Sequence, residues 1–170
     1  MNLTYVPLIV SGISALIAIS SLAFAVKSWH RTNRPIISVR ITTVKGGNVN
    51  ITLNIVVENT GNRPAKEITL VADKAAVLAA LKDISSQEIP LDAQHCFFAG
   101  KNIPVLANGK SATNAFGVIG TDGDWEAGAR IPLLIEYRSF EGKRYSEKLD
   151  LLLADDAGFA QTFWDVASGQ

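Results

Sequence analysis

The chain has 170 residues, with 16 Lys and Arg balanced by 16 Asp and Glu, 48% hydrophobic residues and a mean hydropathy of +0.20. Zero net charge argues against nucleic acid as a partner, because a phosphate binder needs a basic face to release counterions. A single cysteine, Cys96, excludes an intrachain disulfide, which fits a reducing compartment, and His30 and His95 are too few for a His-rich metal site.

The apolar excess sits at the N-terminus, where no charged side chain precedes Lys27. After a short tail at residues 1–4, the run from Tyr5 to Val26 predicts a transmembrane helix over residues 5–29. At about 1.5 Å rise per residue the run extends about 33 Å, against about 30 Å of bilayer hydrocarbon. Pro7 falls in the first turn, where a missing N–H is tolerated. Tyr5 marks one membrane interface, and Lys27, Trp29, Arg31 and Arg34 mark the other. Ala23-Phe24-Ala25 has the form of a leader cleavage site, but MNLTYVP lacks a basic n-region and the apolar run is longer than a leader's. The segment therefore reads as a retained span in the cell (inner) membrane. A basic linker follows at residues 30–35, and no acid intervenes between Lys27 and Glu58. The positive-inside rule then places the N-terminus outside and the C-terminal domain in the cytoplasm.

Within the span, Ser11, Ser14, Ala18, Ser21 and Ala25 recur at intervals of 3, 4, 3 and 4, a stripe of small residues on one helix face. Small side chains let two helices approach closely in lipid, and hydroxyls can bond across the contact. The stripe predicts a helix–helix interface with other transmembrane subunits, the remaining faces meeting the lipid bilayer.

From Ile36 the pattern changes to the alternation of half-buried strands. Strands are predicted at Ile36–Val44, Val49–Glu58, Glu67–Ala72, Ser111–Ile119, Ile131–Phe140 and Arg144–Leu153, with a further one at Cys96–Ala99. Lys74–Asp83 is rich in helix formers and predicts one short helical insertion. The stretch from Ile84 to Gly109 has no clear period. About seven short strands joined by turns point to an all-β sandwich over residues 36–154 rather than a parallel α/β sheet.

The passage VVENTGNRPAKEITL (56–70) resembles the second-to-third strand region of bacterial immunoglobulin-like domains of the CARDB type. IEYRSFEGKRYSEKL (135–149) is similar to their terminal hairpin. One membrane helix, an Arg-Pro step and such a domain resemble many small bacterial single-pass membrane proteins. The resemblance covers roughly residues 36–154 and rests on turn chemistry and strand pattern. It implies an immunoglobulin-like sandwich used in adhesion or protein interaction, and it carries over no catalytic residue.

Chemistry-bearing motifs are few. Asp122-Gly-Asp124-Trp-Glu126 gathers carboxylates in one loop but lacks EF-hand spacing, and reads as a solvated turn. His95 and Cys96 adjoin, but on a strand they would face opposite ways, so Cys96 reads as a core or half-buried residue. No phosphate loop, nucleophile elbow, HExxH or CxxC occurs. In the acidic and aromatic tail at 155–170, Phe159, Phe163 and Trp164 read either as packing back on the sandwich or as a partner contact. These features predict a non-catalytic accessory subunit of a larger membrane complex, without a cofactor. The alternative is a membrane-anchored sensor or ligand-binding module, which requires a concave pocket with converging polar groups.

Overall fold

The computed structural model describes residues 6–45, 49–83 and 88–155. The chain divides into two compact units, Met1–Arg34 and Pro35–Gln170.

The described residues of the first unit hold one continuous helix, α1 (Val6–Thr32). It runs past the expected end at residue 29, so part of the basic linker is helical. Within it Ile9–Trp29 is 21 residues with a mean hydropathy of 2.2, long and apolar enough to cross a membrane by length and composition.

The second unit is a two-sheet β domain. Its elements are β1 (Ile37–Lys45), β2 (Asn50–Asn59), β3 (Ala65–Ala72), α2 (Lys74–Ala79), α3 (Leu91–Phe97), β4 (Ile103–Leu106), β5 (Ser111–Gly120), β6 (Arg130–Ser139) and β7 (Arg144–Leu152). The strands form a three-stranded sheet ordered β1-β2-β5 and a four-stranded sheet ordered β4-β3-β6-β7. The pairings between these strands are antiparallel. Alternation does what a period of two dictates: Leu53, Ile55 and Val57 of β2 and Leu133, Ile135 and Tyr137 of β6 are buried in one shared core. In the final hairpin Tyr137 pairs with Tyr145 and their rings stack at 5.2 Å.

Trp125 is fully buried in the core. Its ring stacks on Phe116 at 4.8 Å, and its Nε1–H donates to the Phe116 carbonyl at 2.9 Å. Room for it comes from the bulge where β5 pairs with β2 beside Leu53 and Asn54. Gly117 there has φ +126°, and a Cβ on it would lie 2.6 Å from Trp125 Nε1.

Three expectations need correction. Cys96–Ala99 is not a strand: Cys96 and Phe97 end α3, whose Ala93 and Phe97 are buried one turn apart, and Phe98 and Ala99 follow it in a turn. The aromatic pair masked a helical spacing. The strand β4 is short and contains Pro104, which weakens its strand pattern in the sequence and suits its place at a sheet edge. The helical insertion ends at Ala79, and Leu81 instead bridges to Trp125.

Candidate functional site

The stripe residues Ser11, Ser14, Ala18, Ser21 and Ala25 all lie on α1 and are all exposed. Because α1 is unbroken, their 3–4 spacing keeps them on one side. The Ser14 hydroxyl donates to the Val10 carbonyl at 2.9 Å, so its hydrogen bond is already made within its own helix. Ile13, Leu16, Ile17 and Leu22 are more than half exposed. Lys27 and Trp29 are exposed on the last turns, and Arg31 lies in the final turn. Arg34 is half-buried just beyond the helix. Tyr5, Phe159, Phe163 and Trp164 lie outside the described residues.

The sandwich carries a second feature. The strands β5 and β4 are edges of opposite sheets, and α3 packs beside β5 and β3. Between them opens a cleft of about 340 Å³. Its floor is core: Ile55 and Val57 from β2, Ile68 and Leu70 from β3. Ile103 and Ala112 form apolar walls, and His95, Cys96, Lys101, Asn102, Thr113 and Asn114 supply the polar lining. Lys101 is exposed and has no ion-pair partner among the described residues, and no acidic side chain lines the cleft.

Cys96 is half-buried here. The Asn114 side-chain amide donates to its sulfur at 3.4 Å. Burial raises the thiol pKa; the Asn114 hydrogen bond opposes the shift and the Asp92 carboxylate adds to it. The result is a neutral thiol at physiological pH, a poor nucleophile. His95 and Cys96 both line the cleft, since adjacent helix positions diverge by about 100° rather than the 180° of a strand.

The acidic loop is a brace. Asp122 accepts from the Asn50 amide at 3.0 Å, the Asp124 carbonyl accepts from Lys82 N–H at 2.9 Å, and Glu126 N–H donates to the Ala80 carbonyl at 3.0 Å. Trp125 between them is core. Among the described residues no group of three His, Cys, Asp or Glu could hold a metal ion.

The profile of DUF8453, a family described as a domain of unknown function, matches residues 3–155, taking in α1 and all seven strands. The chain belongs to the DUF8453 family. No curated protein matches it. Of the polar cleft residues, only His95 and Cys96 form a pair that the sequence marks for chemistry. Lys101, Asn102, Thr113 and Asn114 have no local signature, because they meet only when α3 folds against β5.

Proposed function

We propose that this DUF8453 protein is a single-pass membrane protein. Its immunoglobulin-like sandwich serves as a non-catalytic accessory subunit of a larger membrane complex. The observation that carries the reading is the span Ile9–Trp29, with a mean hydropathy of 2.2 and 0% of it buried. An apolar helix left uncovered by its own chain gains by entering lipid or by meeting another apolar surface. The family match supports the reading, since it runs across the helix and the sandwich together.

The strand order supports the immunoglobulin-like assignment. Lettered in chain order, the strands form A-B-E and D-C-F-G sheets. That is the constant-type arrangement with the fourth strand moved to the edge of the opposite sheet.

The test is fractionation of cells making the full chain, followed by mass measurement of the product. Retention of residues 1–26 in a membrane fraction resistant to alkaline extraction supports the span. Recovery of a soluble chain lacking those residues identifies a cleaved leader and overturns it. Stoichiometric membrane partners after mild-detergent purification would then establish the accessory role.

One observation favours a second reading, a membrane-anchored ligand-binding module. It is the cleft between β4 and β5, whose size lies at the small end of the range for ligand pockets.

A further inference from the structure

We propose that the cleft beneath α3 binds a medium-chain carboxylate. The hydrocarbon body would lie on Ile55, Val57, Ile68 and Leu70, and the carboxylate would meet the Lys101 ammonium. The inference rests on the ligand-binding reading and is independent of what α1 packs against.

Three observations converge on this ligand class. The floor is wholly aliphatic, so burying a ligand's hydrocarbon against it is favourable. The only formal charge in the lining is that of Lys101. That ammonium has no ion-pair partner among the described residues, and an ammonium offers three donors to an anion. The lining amides Asn102 and Asn114 add hydrogen-bonding capacity, although Asn114 already donates to Cys96. At about 340 Å³ the cleft suits one short chain.

Cys96 makes the test direct, because it is the only thiol in the chain and it lines the cleft. The full chain is placed in lipid discs, and Cys96 labelling by a water-soluble maleimide is timed with octanoate, octanol or octylamine. Empty discs serve to correct for partition of each probe into lipid. Octanoate should slow labelling saturably and more than octanol or octylamine. Lys101→Gln, at an exposed position, should weaken octanoate about tenfold, the scale of one charge-assisted hydrogen bond, and leave octanol unchanged. Ala112→Phe, filling the cleft from a half-buried wall, should abolish protection by all three, with thermal unfolding reporting that the variant folds. Protection by octanol or octylamine equal to that by octanoate overturns the carboxylate assignment and keeps the ligand-binding reading. So does protection by octanoate that survives Lys101→Gln. Labelling unaffected by every probe overturns both.

Discussion

The side-chain amide of Asn59, at the end of β2, donates to the carbonyl of Leu106, at the end of β4, across 3.0 Å and between the two sheets. The same amide nitrogen reaches the Arg63 carbonyl at 2.8 Å, and its oxygen accepts from Gly61 N–H at 3.0 Å. Its backbone N–H and C=O bond Lys110 O and Gly109 N. Asn59 is fully buried, so these bonds are unscreened. The Asn-Thr-Gly-Asn passage thus works as a clamp where the chain crosses from one sheet to the other.

Removing that clamp should be costly. Asn59→Ala leaves buried carbonyls and an N–H without partners, at about 1–3 kcal/mol for each group. A loss of about 3 kcal/mol, or about 10 °C in Tm, is expected in thermal unfolding. Asn59→Asp keeps the shape but aims an acceptor at the Leu106 carbonyl, and should lose as much at neutral pH. A Tm within about 2 °C of wild type for either variant would contradict the role.

The Gly117–Trp125 contact yields a paired prediction. Gly117→Ala sets a methyl 2.6 Å from the indole nitrogen at φ +126°, so either Trp125 or β5 must shift. Overpacking of this kind costs about 1–3 kcal/mol, with backbone strain in addition. Gly142→Ala, at φ +86° with nothing within 4 Å, carries only the strain, about 1 kcal/mol. Equal Tm losses in the two variants would show that Trp125 yields freely.

Cys96 should alkylate slowly. Burial disfavours the thiolate, so its pKa is raised and the reactive fraction at any given pH is below that of a free cysteine. The native rate with iodoacetamide should be well under the denatured rate at pH 8. It should still be climbing at pH values where the denatured rate has levelled. Coincident pH profiles would place the thiol in open solvent.

The small-residue stripe predicts an asymmetry within α1. Ser14→Leu with Ala18→Leu should keep the helix in the membrane, since both changes raise apolarity, and should deplete co-purifying partners. About 1–2 kcal/mol per well-packed site is roughly a tenfold loss each. Leu substitutions at Ile13 and Ile17 should change little. Wild-type recovery of the complex by the stripe variant would leave docking to the sandwich.

Sidedness is tested by protease added to intact cells. The basic flank after α1 predicts that the β domain is protected and is cut only once the membrane is opened. Digestion in intact cells would reverse the orientation.

The sequence by itself determined α1, most strands and the final hairpin, because these depend on local pattern. An uninterrupted apolar run has one helical solution, and alternation at Leu133, Ile135 and Tyr137 marks a buried face whatever it packs against. It also held the Asn59 turn, legible as a turn but not as an inter-sheet clamp. The partner carbonyl on Leu106 lies 47 residues away, on a strand whose Pro104 hid it. Only the tertiary structure decided that Cys96 sits on a helix, that Asn114 is its hydrogen-bond partner, and that Lys101 stands at an aliphatic cleft. Those relations arise where the edges of two sheets meet a short helix. Spacing along the chain encodes which side chains prefer burial, whereas the position of an edge is set by strand pairings distant in sequence.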